Sequence, residues 1–317
     1  MASIPHPTQQ QAQHQELLKQ AIEAHLQGQL GRAEDLYRVV LDGDPTNPVL
    51  YANLGTLCLA TGRYPEAIDL LKQALALKPD YALALNSLGI VWQQQQDWEQ
   101  ALHCYQQALD LQPNYPDAWN NYGNLLYQRG RFGEAIESFE KALRYKNDYP
   151  EAWFNLGNAL RGLNRIAEAI TAYRTVLTLQ PQSHATLNNL GTLLQQRGNL
   201  IQAEQYYRQA LEFCPDFVEA YSNLAHVLVQ SQQAESAIDT WQKLLALLEK
   251  RSHEFRTSPI YSNTVQQLGG LLEDSGRWEE AIVLYQKGLE WQPDNPDFAY
   301  RLGGVLQHLG RMGEALT

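Results

Sequence analysis

A small residue and, twelve positions later, an alanine recur every 34 residues along this 317-residue chain. The first mark falls at Ala21, Gly55, Gly89, Gly123, Gly157, Gly191 and Ala225, and the second at Ala33, Ala67, Ala101, Ala135, Ala169, Ala203 and Ala237. After a ten-residue slip both resume, at Gly269 and Gly303 and at Ala281 and Ala315. A proline follows most second marks, at Pro45, Pro79, Pro113, Pro181, Pro215 and Pro293. A single globular core has no reason to space its small residues evenly. Stacked copies of one helix pair must do so wherever two backbones approach closely. The period therefore predicts one elongated all-α array, not the two domains that the length alone would suggest.

The fourth unit shows how each copy is built. Pro116 suits a helix start, because its missing N–H would be unpaired there anyway, and Trp119, Tyr122 and Leu126 follow on one face. Gly130 ends this first helix, and Ala135, Phe139 and Ala142 mark the stripe of a second. Gly123 and Ala135 let the two helices pack closely, while Trp119, Tyr122 and Phe139 are expected to fill space toward the neighbouring unit. Elsewhere Trp92, Trp98, Tyr105, Tyr173 and Tyr207 take packing positions, and Tyr81, Tyr115, Tyr149 and Phe217 wedge between units.

An aromatic or Leu opens most units (Tyr51, Trp119, Trp153, Tyr221), Leu-Gly follows (Leu54-Gly55, Leu88-Gly89, Leu156-Gly157, Leu190-Gly191), and Ala, aromatic, Ala and Pro close them. In these residues the chain resembles the tetratricopeptide repeat (TPR) family over nearly its whole length. That resemblance implies a right-handed superhelical solenoid whose first helices line a concave groove, usually employed to hold another protein. The units run 14–47, 48–81, 82–115, 116–149, 150–183, 184–217, 218–251 and 262–295, with a partial ninth at 296–317. Residues 1–13 are read as a disordered polar lead-in. The insertion at 252–261 follows an apolar stripe that continues past Trp241, Leu244, Leu245 and Leu248 to Phe255. Ser258-Pro259 then reads as a capped helix start, so both flanking helices should lengthen and form a prong.

The groove is expected to be lined with amides. Asn53, Asn121, Asn155, Asn189 and Asn223 precede the Leu-Gly mark, with Ser87 filling the gap, and form a column at the repeat spacing. Asn86, Asn120 and Asn188 stand one residue earlier, Asn124 and Asn158 three later, and Gln94, Gln128, Gln196 and Gln230 near the helix ends. Each amide carries a donor and an acceptor, so a ladder can pair with the N–H and C=O of an extended peptide without reading its side chains. Read as solvent-facing, Asn121, Asn155, Asn189 and Asn223 should be replaceable by alanine with little loss of fold. His226 completes the candidate groove, as a hydrogen-bonding residue and not a general base.

Such ladders are similar to the N-terminal superhelix of O-linked N-acetylglucosamine transferases and SPINDLY-like proteins. This resemblance implies a substrate groove feeding a catalytic domain beyond residue 317. Ser87, Lys19, Gln267 and Arg301 depart from the pattern. The carboxylate clamp of chaperone-tail TPR proteins is not matched, because the corresponding positions carry Asp117, Glu151, Glu219, Asn120, Phe154 and Asn188.

Composition narrows the partners. Lys plus Arg number 24 against 35 for Asp plus Glu, a net charge of -11, which repels nucleic acid. Cys58, Cys104 and Cys214 have no paired spacing and read as small buried residues in a reducing compartment. No phosphate loop, paired-His zinc motif, nucleophile elbow, signal-type segment or long apolar run is present, so no catalytic residue, cofactor, metal or membrane span is expected. The resulting reading is a cytoplasmic, non-enzymatic scaffold that binds an extended peptide or partner protein. The alternatives are the recruiting arm of a larger glycosyltransferase, and self-association through the repeat ends.

Overall fold

A computed structural model describes residues 9–251, 256, 258–311 and 313. Among the described residues there are seventeen α-helices and no strand. The first helices of successive repeats are α1 (Gln9–Leu26), α3 (Pro48–Ala60), α5 (Ala82–Gln94), α7 (Pro116–Gln128), α9 (Pro150–Gly162), α11 (His184–Gln196), α13 (Val218–Gln230), α15 (Pro259–Asp274) and α17 (Pro296–His308). The second helices are α2 (Leu30–Gly43), α4 (Tyr64–Leu77), α6 (Trp98–Leu111), α8 (Phe132–Tyr145), α10 (Ile166–Leu179), α12 (Leu200–Phe213), α14 (Ala234–Lys250) and α16 (Trp278–Trp291). They group into two compact units, residues 1–165 with α1–α9 and residues 166–317 with α10–α17. Within each unit, helices consecutive in the chain pack on one another.

The small first mark is required by the residue sixteen positions on. A Cβ placed on Gly89 would lie 2.6 Å from the Tyr105 ring, one on Gly123 2.8 Å from Phe139, and one on Gly191 2.8 Å from Tyr207. These rings are fully buried, so the glycine seats the aromatic of its own pair. Phe139 thus packs within its unit, against Gly123. Burying such a ring contributes on the order of 1.5–3 kcal/mol.

The turn between paired helices repeats as strictly. Gly28, Gly62, Gln96, Gly130, Asn164, Gly198, Gln232, Gly276 and Gly310 all have φ between 59° and 76°. Six are glycine, which enters this left-handed region without steric cost; the Gln and Asn residues hold it under strain. The opening aromatic fastens the preceding turn. Tyr51 Oη donates to Pro45 O (3.1 Å), Trp119 Nε1 to Pro113 O (2.8 Å) and Trp153 Nε1 to Asn147 O (2.9 Å).

Both chain ends and the insertion refine the sequence expectations. Gln9–Gln13, assigned to a disordered lead-in, is the first part of α1; glutamine is a good helix former, and no Pro or Gly follows Pro7 there. Residues 1–8, Ala315 and the start of the ninth second helix at Glu314–Thr317 lie outside the described residues, as does most of 252–257, including Phe255. Helix α14 has 17 residues where α12 has 14, and α15 has 16 where α13 has 13. Ser258 caps α15, its Oγ accepting from Tyr261 N at 3.3 Å. Both flanking helices thus lengthen as expected, the tip of the expected prong lies outside the described residues, and Arg256 folds back on the array. Its guanidinium lies 3.6 Å from the Trp291 ring centre and donates to Glu249 O, while its carbonyl accepts from Gln292 Nε2 (2.9 Å).

Candidate functional site

Gly55, Gly89, Gly123, Gly191 and Gly269 turn toward the second helix of their own pair, which leaves the opposite face of these first helices to the first helices of adjacent repeats and to solvent. Lateral neighbours on this layer meet one residue out of register with the 34-residue period. Asn121 Nδ2 donates to Asn86 Oδ1 (3.0 Å) and Asn155 Nδ2 to Asn120 Oδ1 (3.0 Å) in the first unit. Asn223 Nδ2 donates to Asn188 Oδ1 (2.9 Å) in the second. The acceptors Asn86, Asn120 and Asn188 are 5%, 0% and 8% exposed, and the donors are half-buried.

The eleven predicted groove residues therefore fall into distinct settings. Asn86, Asn120 and Asn188 lie inside, bracing the neighbouring repeat, and Asn121, Asn155 and Asn223 are held in fixed orientation by them. The Oδ1 atoms of these three held residues, and one N–H of each, have no hydrogen-bond partner among the described residues. Alanine at Asn121, Asn155 or Asn223 would thus orphan a buried oxygen, contrary to the expectation from sequence. Asn189, whose counterpart one residue and one repeat back is Phe154, instead lies with Nδ2 3.5 Å from Tyr173 Oη. Asn53, Asn124 and Asn158 are half-buried, and Ser87 is buried. His226 is exposed, donates from Nδ1 to Ser222 O (2.7 Å) and sets its ring edge-on to Trp241.

A second ladder runs along the helix ends. Tyr105 Oη donates to Gln93 Oε1 (2.8 Å), and Gln93 Nε2 donates to Gln128 Oε1 (2.9 Å). The same relay links Tyr207, Gln195 and Gln230 at 2.8 and 2.9 Å. Gln93 and Gln195 escaped the sequence reading, which named their neighbours Gln94 and Gln196. Their signal is the twelve-residue spacing to a buried tyrosine together with the 35-residue spacing to the next glutamine.

Two carboxylates border the amides in the first unit. Asp117 and Glu151 are exposed, and Glu151 accepts from Asn120 Nδ2 at 3.1 Å. Among the described residues neither is paired with a cation. Burial, reinforced by Asp117, pushes the Tyr115 phenol up to about 12. Burial, then Asp117 and Glu151, raises Tyr149 as well, so both hydroxyls stay protonated at neutral pH.

Two clefts lie away from these residues. One of about 560 Å³ is lined by Arg208, Tyr221, Asp239 and Lys243, and one of about 380 Å³ by Leu245, Leu268, Leu272 and Val283. No predicted groove residue lines either. Burial raises the Cys58 and Cys104 thiols to about 11, which leaves them unreactive. Among the described residues no group of three His, Cys, Asp or Glu could hold a metal ion, and no helix is long and apolar enough to cross a membrane.

Comparison with known proteins bears on the repeat and its fold. Tetratricopeptide repeat families match residues 51–114, 148–216 and 104–137, and a TPR repeat family matches 123–163 and 271–310. The chain is a tetratricopeptide repeat protein. Its all-α fold is of the superhelical helix-turn-helix class. Similar solved structures include pilF of Pseudomonas aeruginosa, at 22% identity and TM-score 0.61, covering 69% of this TPR chain and 97% of that one. The C-terminal part of a TPR repeat-containing protein from Cytophaga hutchinsonii is similar at 18% identity and TM-score 0.57, covering 78% and 98%. MamA is similar at 23% identity and TM-score 0.50, covering 51% and 95%. These likenesses concern the fold. The search of curated proteins found no match.

Proposed function

We propose that this TPR protein is an interaction scaffold that holds an extended segment of a partner protein against the amide face of its first helices. The observation that carries the reading is the locked ladder. Asn121, Asn155 and Asn223 each spend one N–H on a buried amide of the preceding repeat. Their remaining N–H and their Oδ1 are held in place before any ligand arrives, which lowers the ordering cost of binding. Each bond to a peptide backbone would contribute about 0.5–1.5 kcal/mol, and several together fit micromolar affinity.

The test uses amides outside the ladder. Asn53 and Asn124 have no side-chain hydrogen bond among the described residues, so replacing both by alanine removes two groove contacts while sparing the braces. Affinity for a bound peptide should fall roughly tenfold to a hundredfold with an unchanged melting curve. Unchanged affinity would place the working surface elsewhere. The second reading, a substrate-recruiting arm of an O-linked N-acetylglucosamine transferase-like enzyme, draws its support from the same amide column.

A further inference from the structure

The face that carries the ladder changes character along the first unit. Ile22 and Leu26 hold the positions that Asn124 and Gln128 hold three repeats later, and Val49 and Leu83 hold the position of Asp117. These four apolar side chains are 39%, 83%, 40% and 38% exposed. Leu59 and Ile90 on the same face are half-buried. Lys19 and His25 are the titratable groups this face carries in repeats one to three, and none follows until Asp117 and Glu151, the latter accepting from the neutral Asn120 amide. Arg161 lies ten residues beyond Glu151 on α9, about 15 Å along the helix.

Resting on the groove reading above, we propose that repeats one to five select a segment with large apolar side chains for repeats one to three and a lysine or arginine for Asp117 and Glu151. Exposed leucine, isoleucine and valine along this face gain from leaving water, and a stretch whose one lysine, Lys19, lies at its N-terminal end offers a basic side chain no partner there. The two carboxylates, in a chain of net charge -11, favour a cation and repel an acidic segment. The apolar half supplies affinity, and the acidic half supplies register and choice of partner.

A random library of displayed 12-residue peptides, on the order of ten binders being resynthesised, can be panned on the full chain and read by fluorescence anisotropy. Recovered peptides should combine apolar residues with Lys or Arg, and exchanging the basic residue for Glu should weaken binding about tenfold or more. Asp117→Asn with Glu151→Gln should erase that charge preference, because glutamine still accepts from Asn120. Ile22→Ser with Leu26→Ser should weaken binding about tenfold without lowering the melting temperature, since both side chains are already exposed. Binders that are acidic, or indifferent to these four substitutions yet weakened by Asn53→Ala with Asn124→Ala, would overturn the selectivity and leave the groove standing. Binders indifferent to all six substitutions, or no enriched peptide, would overturn both.

Discussion

Asn155→Ala probes the ladder at its most buried rung. The substitution removes a donor 3.0 Å from Asn120 Oδ1, and Asn120 is 0% exposed, so no water can replace the lost bond without opening the helix layer. Leaving a buried acceptor unpaired costs about 1–3 kcal/mol. Asn124→Ala, on the same face and also half-buried, leaves no such orphan and should stay within about 0.5 kcal/mol of the parent. In an array whose repeats contact only their neighbours, the loss from Asn155→Ala should remain local to repeats four and five. Native-state hydrogen exchange reads this directly: amides of α7 and α9 should exchange roughly 5- to 150-fold faster, while those of α3 keep the parent rate. Adding Asn120→Ala completes a cycle in which the coupling should be about 1 kcal/mol or more. Parent-like exchange in α7 and α9, or an equal effect from Asn124→Ala, would refute the claim that these amides brace the repeats.

Four further outcomes follow from the same geometry. Gly89→Ala places a methyl 2.6 Å from the buried Tyr105 ring and should cost about 1–3 kcal/mol by urea denaturation; an unchanged midpoint would rule out that contact. Gln232→Gly relieves a left-handed residue at φ 59° and should raise stability by up to about 1 kcal/mol, whereas the reverse change Gly198→Gln should lower it. Hydrogen bonds from Arg63, then Arg38, hold the Glu34 carboxyl at about 2, below its ordinary 4.5. Its contribution is therefore present above pH 4.5 and lost as pH falls through about 2, and thermal melts of Glu34→Gln should lack that acid-dependent portion. The 317-residue chain, given a nucleotide sugar and an acceptor protein, should transfer no sugar above a buffer control, and transfer would overturn the non-enzymatic reading.

The period, the turns and the aromatic core were legible because each is a column of single residues repeated in place. Gly89 and Tyr105 share one unit, so the repeat shows both as columns; that the glycine seats the ring was not read, since the reading sent Phe139 toward the neighbouring unit, and Trp119 reaches its carbonyl at Pro113 across a unit boundary. The lengthening around the insertion was legible too, since Ser258-Pro259 carries its own cap chemistry. Arg256 on Trp291 was not, because residues 35 apart across a unique insertion have no second copy to compare.

The amide ladder was only half legible for a reason built into repeat geometry. A column reading aligns residues 34 apart and sees Asn121 above Asn155 as equals facing solvent. Lateral bonds between first helices instead join residues 35 apart, so the unit of structure is an adjacent pair, the sixth position of one repeat on the fifth of the repeat before. Asn-Asn at 120–121 therefore marks a residue that receives and a residue that gives, at 188–189 only Asn188 joins the ladder, and the same one-residue offset joins Gln93 to Gln128 and Gln195 to Gln230. Where the offset partner is apolar, as Leu18 is for Asn53, the column amide keeps its hydrogen-bonding capacity for something else. The offset neighbour thus decides how a column amide can serve a ligand: answered, as at Asn121, Asn155 and Asn223, it presents one N–H and its Oδ1 in a fixed orientation, and unanswered, as at Asn53, it keeps its whole capacity.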